Sequence, residues 1–392
     1  MKNNEINVNL FFQAKKNSQK IMHADKIIKL INNTVDAFKY QPREQDKPFQ
    51  IPQKALIILP EYIGDVILLS TVIKNLRLNF NKDTVIDVVC NKKLNNLIET
   101  LPYIDKIHIK KDIKPNKTEF LKQNSYDCIF LFNYPFLWAV AAYKAGVNQR
   151  VSFTLDRIGL NYPPVWQDII THFIPSTSIK EKYPQWKVYL NVIEELGLKV
   201  FSQEPEIIFT EKDNKKAHKI AKKLTGMKII IHATSGSYGK NWDYKNWVII
   251  LKYLKDKYSP SIVASGTAQE GSLYDYLSEE SGVKIYNLCG KTTIRETIAL
   301  YKHIDMVITL DSAPAHFAAY AGVKGIVIIY GPTNEAQWTP YAPNSNIKQV
   351  YLDIDCRPCL TRLCHHRKCL TKLPPETVQR AIDRIIGNIA IL

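Results

Sequence analysis

Twice along this chain, short apolar runs rich in β-branched residues alternate with stretches of helical periodicity. In the first series "ALIILP", "VIDVVC", "KIHI" and "DCIFLF" read as buried strands. The connection "GLKVFSQEPEIIFTEKD" follows, and then "MKIIIHA", "SIVAS", "VKIYNL", "DMVITL" and "KGIVIIY", with helices expected near 243–257, 270–280, 293–303 and 314–321. Parallel neighbours need a long crossover, usually a helix, so the alternation sets the class as α/β with sheets covered on both faces. Two series mean two doubly wound halves. Ligands in such sheets sit beyond the C-terminal ends of the strands, so two facing halves enclose a central cleft.

The expected divisions are an N-terminal extension over 1–50, a first domain over 51–200, a second over 201–373 and a closing helix over 374–392. In the extension Ile21, Ile28, Ile31 and Val35 fall near one helical face, which reads as an amphipathic helix docked on the main body, ahead of the alternative of a helix lying on a membrane surface. The stretch "LDRIGLNYPPVWQDIITHFIPSTSIKEKYP" is less regular, and a helix is expected from there to Leu196. "LPPETVQRAIDRII" reads as a helix opened by Pro375, with Val378, Ile382 and Ile385 on one face.

A length of 392 residues suits two domains of ordinary size. The longest apolar runs, such as 325–330, are strand-sized and fall well short of the roughly 20 residues that span a bilayer. The opening "MKNNEINVNLFFQAKKNSQK" does not read as a signal peptide, so a cytoplasmic location is expected. Lys and Arg number 53 against 37 Asp and Glu, a formal net charge of +16. Such an excess favours anionic partners: nucleic acid, phosphorylated substrates or an anionic membrane surface.

Polar residues crowd four strand ends. In "KALIILPEYIGDVILLSTVIKNL" a strand turns into a helix at Gly64-Asp65, where the carboxylate reads equally as a helix cap and as a reactive group. In "IIIHATSGSYGKNWDYKNW" the strand runs into Thr234, Ser235, Gly236, Ser237, Gly239 and Lys240. Hydroxyls, free backbone and one cation suit a phosphate group, although an ordinary turn has the same composition. In "ASGTAQEGS" Glu270 opens a helix, either to hold a ribose diol or to complement the helix dipole. In "TLDSAPAHFAAYAGV" the strand ends at Asp311-Ser312 and His316 lies in the first turn of a helix. The last three decorate one edge of one sheet, which points to a nucleotide or sugar-phosphate site. No G-x-G-x-x-G follows either first strand, and no P-loop, H-E-x-x-H or G-x-S-x-G occurs.

In order along the chain, "PEYIGDVILLSTVIKNL", "HATSGSYGKNW", "CGKTTIRETIALYKHIDMVITLDSAPAHFAAYAGV" and "YGPTNEAQWTPY" resemble the ADP-heptose:lipopolysaccharide heptosyltransferases, glycosyltransferase family nine. The resemblance implies the GT-B fold, with two Rossmann-like domains, acceptor in the first, nucleotide-sugar donor in the second, and a last helix crossing back to the first. It implies inverting transfer of heptose from ADP-heptose to a lipopolysaccharide inner-core acceptor without a catalytic metal. Asp65 is then the general base, and partial burial would strengthen it. Lys240 contacts the donor diphosphate as it leaves. Thr234 and Ser235 lie near phosphate, Glu270 at the ribose, Asp311 at sugar hydroxyls, and the backbone of Ser312 and Ala313 at phosphate. Ala313 stands where the family usually has Gly, and His316 matches a histidine of that helix. The partners so implied are an ADP-sugar and an anionic glycolipid at the inner membrane face, with no nucleic acid and no transmembrane segment. The same fold with another nucleotide sugar or a protein acceptor is the alternative. A metal-stapled basic module binding nucleic acid through 1–50 and 356–370 is a further one.

Four of seven cysteines are clustered: Cys356, Cys359, Cys364 and Cys369, with His365 and His366 among them. In a reducing compartment this spacing favours a metal over disulfides, and thiolates suit structural zinc or iron. Loss of such a metal is expected to loosen the last helix more than donor binding.

Overall fold

The computed structural model of the protein describes residues 47–113, 116–132, 135–153, 169–174, 183–359 and 364–389. The helix expected near 21–35 lies outside them. Strands β1 (Lys54–Ile58), β2 (Val85–Cys90), β3 (Lys106–Ile109), β4 (Cys128–Leu131), β5 (Gln149–Phe153) and β6 (His172–Ile174) form one parallel sheet in the order β3-β2-β1-β4-β5-β6. A second sheet holds β7 (Lys228–His232), β8 (Ser261–Ala264), β9 (Ile285–Asn287), β10 (Met306–Leu310), β11 (Gly325–Ile329) and β12 (Asn346–Val350), again all parallel, in the order β12-β11-β10-β7-β8-β9. The two sheets have the same topology. Each reverses its chain order beside its first strand, between β1 and β4 and between β7 and β10, and such reversals leave a crevice at the strand ends.

Strands β5, β6 and β12 were not legible as apolar runs. Strand β5 carries Arg150, which is fully buried because its guanidinium donates to the carbonyls of Ile169 and Val147. Strand β12 lies at a sheet edge and is mostly half-exposed, so its residues are polar. Strand β6 has only three residues, too few for a pattern.

The principal helices are α1 (Ile63–Asn79), α2 (Gln185–Glu195), α3 (Glu211–Ala221), α4 (Tyr244–Tyr258), α5 (Ile294–Tyr301), α6 (Ala313–Tyr320) and α7 (Pro375–Ile389). Helix α1 is apolar around most of its circumference because it packs on α2 and on α6 of the other half as well as on its own sheet. One core therefore runs through both halves, joining Leu69 and Val72 to Ile298 and Ala318. The connection between the sheets is tied to both. Asn75 of α1 accepts from the Phe201 amide at 2.7 Å and donates to the Ser202 carbonyl at 2.7 Å, while Tyr320 of α6 exchanges hydrogen bonds with the backbone of Ile207. Helices α3 and α5 pack together, with Arg295 and Asp213 paired at 2.9 Å.

The last helix departs from expectation. Rather than crossing back to the first half, α7 packs on β11, β12 and α4. Val378, Ile382 and Ile385 join the second-half core with Leu254 and Ile329. Gly325 makes this possible, since a side chain there would lie within 2.2 Å of Ile385. The carboxylate of Asp383 also takes hydrogen bonds from Tyr253 and Tyr258 of α4 and pairs with Lys257 at 2.9 Å.

Candidate active site

From β1 the chain passes through Leu59 and Pro60 into the first turn of α1, and this places Asp65 at the switch point of the first sheet. Tyr62 occupies the capping position and Asp65 is the third helical residue, so Asp65 does not cap the helix. It is 8% exposed, and its Oδ1 accepts the Tyr189 hydroxyl of α2 at 2.8 Å. Its place in the first turn sets it beside the positive end of the α1 dipole.

Across the cleft, α6 brings His316 against Gly64. Any side chain at position 64 would come within 2.9 Å of the ring, so the approach of the two halves here needs glycine. Burial holds His316 down at about 4, with Asp311 opposing and Lys240 adding to the shift. The ring is therefore neutral near pH 7, and its Nδ1 has no hydrogen-bond partner among the described residues.

The second sheet supplies the rest. Beyond β7 a short 3-10 turn, Tyr238–Lys240, carries Lys240 to Asp311 at the end of β10, with Nζ 2.7 Å from Oδ2. Asp311 is buried, and the same Oδ2 accepts the Thr333 hydroxyl at 2.6 Å. Ser235 is fixed by Asn241, whose Oδ1 accepts from its amide at 2.8 Å and its hydroxyl at 2.9 Å. Thr234 donates to Glu270, which also closes a capping box with Thr267. Burial pushes Glu270 up, but His232 and the hydrogen bonds from Thr234 and Thr267 outweigh it and leave the carboxyl below its usual range. Ser312 precedes α6 with extended backbone and its hydroxyl donates to the Leu310 carbonyl. Ala313 is the first residue of α6 and is not among the residues with left-handed backbone, so this turn does not need glycine.

Taken together, a buried carboxylate at one switch point faces a lysine–aspartate pair at the other. The residue model for "Glycosyltransferase family 9 (heptosyltransferase)" matches residues 119–370. The chain belongs to that family. Lipooligosaccharide heptosyltransferase 2 of Campylobacter jejuni is 29% identical over 225 residues, 55% of this chain and 68% of that protein. Lipopolysaccharide heptosyltransferase 3 of Escherichia coli K12 is 26% identical over 345 residues, 83% of this chain and 96% of its own. Among solved structures, E. coli ADP-heptose lipopolysaccharide heptosyltransferase II superposes with a TM-score of 0.65 at 17% identity, over 86% of this chain and 99% of that one. The two sheets of this family 9 glycosyltransferase are thus the two halves of a GT-B fold.

In this family 9 chain, Thr234, Ser235, Lys240, Glu270, Asp311, Ser312, Ala313 and His316 all lie at or just beyond strand ends of the second sheet, with Asp65 opposite. Tyr189 and Thr333 were missed. Tyr189 sits on an amphipathic helix where its ring reads as core, and only packing shows its hydroxyl on Asp65. Thr333 lay within the recognised "YGPTNEAQW", so its motif was visible but its role was not.

The cysteines also lie nearer this site than expected. Cys356, Cys359, Cys364 and Cys369 line one cavity of about 280 Å³ with His365, His366, Arg367, Pro332 and Gly239, the neighbour of Lys240. Burial raises the Cys369 thiol, and Cys359 raises it further. Among the described residues no group of three or more His, Cys, Asp or Glu side chains is gathered as metal ligands. No described helix is long and apolar enough to cross a membrane.

Proposed function

We propose that this enzyme is an inverting heptosyltransferase that moves heptose from ADP-heptose to a lipopolysaccharide inner-core acceptor. The observation that carries the reading is the bridge made by His316, which touches Gly64 beside Asp65 and shares its surroundings with Asp311 and Lys240. That contact supports reading Asp65 as base and Lys240 as leaving-group cation of one site.

In the proposed reaction Asp65 accepts the proton of an acceptor hydroxyl while that oxygen attacks the anomeric carbon. The bond from that carbon to the diphosphate breaks on the opposite face, and ADP departs. Tyr189 holds the Asp65 carboxylate in orientation. Lys240 offsets charge growing on the diphosphate, and Asp311, paired with it at 2.7 Å, keeps the ammonium in place until the donor arrives and then meets sugar hydroxyls. Thr234, Ser235 and the backbone of Ser312 and Ala313 line the phosphates, and Glu270 meets the ribose. No step needs a catalytic metal. The positive charge of the chain favours an anionic glycolipid at the inner membrane face over a neutral acceptor. A nucleic-acid role for 356–370 is disfavoured, because Arg357 and Arg367 spend their donors on backbone carbonyls of the protein.

The four cysteines are proposed as ligands of one structural zinc or iron. Their support is the shared cavity, and binding would draw the sulfurs together to the roughly 2.3 Å metal distance.

A thermal-shift comparison of nucleotides tests the donor. A ligand at 100 times its dissociation constant adds roughly 2.7 kcal/mol of stability. ADP and ADP-sugars should raise the melting temperature more than UDP or GDP, and equal shifts from all three would remove the assignment. A protein rather than glycolipid acceptor would show as transfer to protein with the same ADP preference.

A further inference from the structure

We infer that the cysteine-bearing segment is a clamp on the donor loops, and that Arg357 and Arg367 are its positioning residues. The inference rests on the donor reading of Lys240 and Asp311.

Arg367 donates from Nη1 to the Asn241 carbonyl at 2.8 Å and to the Tyr238 carbonyl at 3.4 Å. Its guanidinium also stacks 4.2 Å above the Tyr238 ring. These contacts hold the backbone on both sides of Lys240. Arg367 itself has left-handed backbone, φ 39° and ψ 37°, a region a branched or long L-residue enters only when its surroundings impose it.

Arg357 acts on the other side. Its side chain is 5% exposed, and its guanidinium donates to the carbonyls of Gly331 and Thr333 and pairs with Glu335 at 3.1 Å. The Cys359 amide donates to the Pro332 carbonyl at 2.7 Å, so backbone and side chain grip the same turn. That turn presents the Thr333 hydroxyl to Asp311. One segment therefore fixes Lys240 through Arg367 and Asp311 through Arg357, and the two meet in the 2.7 Å ion pair. Neither arginine contacts the Lys240 or Asp311 side chain directly, and this is why their effect must be read through coupling.

The test is titration of ADP by calorimetry into the full chain and its variants, with melting temperatures recorded alongside. Arg367→Ala should weaken ADP binding about tenfold, in line with loss of two hydrogen bonds that order the loop. Arg367→Lys should weaken it similarly, because a lysine keeps the charge but cannot span two carbonyls and stack. In a Lys240→Ala background, Arg367→Ala should cause little further loss, since residues acting through one another are not additive. Arg357→Lys should show the same non-additivity with Asp311→Asn. Full additivity in the folded variants, or unchanged ADP affinity in Arg367→Ala and Arg367→Lys alike, overturns the clamp. If Arg367→Ala does not fold, the Arg367→Lys and Arg357→Lys cycles decide the question. Wild-type protein that does not bind ADP overturns the donor reading itself, and the clamp with it.

Discussion

The imidazole of His316 rests on the backbone of Gly64, where a side chain would come within 2.9 Å of the ring. This contact joins the first turn of α1 to the first turn of α6, one from each half. Gly64→Ala should therefore shift α6 or the His316 ring and misalign Asp65 with the donor site. Misplacement of about 1 Å can cost on the order of 100-fold in rate. Steady-state kinetics should show a fall in kcat with the circular-dichroism spectrum retained, and unchanged kcat would show that the gap tolerates a methyl group.

For Asp65 the expected effect is on rate. Asp65→Asn should lower kcat by about 100-fold or more, as loss of a general base does, with ADP affinity nearly unchanged. Tyr189→Phe should have a smaller effect in the same direction, because it removes one hydrogen bond to the carboxylate. If Asp65→Asn remained active and only lost stability, the carboxylate would be a structural element of the helix start.

Lys240→Ala should weaken ADP binding and slow turnover together. Loss of hydrogen bonds involving a charged group corresponds to about ten- to a hundredfold in affinity. Calorimetric titration checks it. Unchanged ADP affinity would shift the phosphate site to Ser312 and its helix.

His316 predicts an acid-sensitive fold. Its proton affinity is held down at about 4 by burial, so the unfolded chain binds a proton that the native state refuses between the ordinary histidine range and that value. Stability is fully present above the ordinary range and falls as pH drops towards 4, by about 3 kcal/mol from this group. Urea unfolding of the wild type and His316→Gln across pH 7 to 4 should show a shallower decline in the variant. Parallel declines would assign the loss to other groups.

For the cysteines, elemental analysis of protein purified without chelator should find about one zinc or iron per chain. Because the cluster borders Gly239 and Arg367, chelation should also weaken ADP binding rather than merely loosen the last helix. Absence of metal, with four freely reactive thiols in the folded protein, would end the metal assignment.

The sequence by itself determined the buried strands β1 to β4 and β7 to β11 of the two parallel sheets, but not β5, β6 and β12. Strands buried on both faces must be short, apolar and β-branched, so their identity survives without knowledge of neighbours, as "ALIILP" and "KGIVIIY" show. It also determined which strand ends carry polar groups, because Asp311 directly follows such a run and Asp65, Lys240 and Glu270 stand in the turns and helix starts that come next. Tertiary structure alone decided what those groups touch. Tyr189 reaches Asp65 across 124 positions and Lys240 reaches Asp311 across 71, and local patterning has no access to such separations. The destination of the last helix was likewise decided by packing: it lies on β11, β12 and α4, where the absence of a side chain at Gly325 leaves room for Ile385. The cysteine segment shows the same limit. Its spacing announces thiolate chemistry, but only folding sets Arg357 and Arg367 against the donor loops, because a hydrogen bond to a distant carbonyl leaves no mark in composition or period.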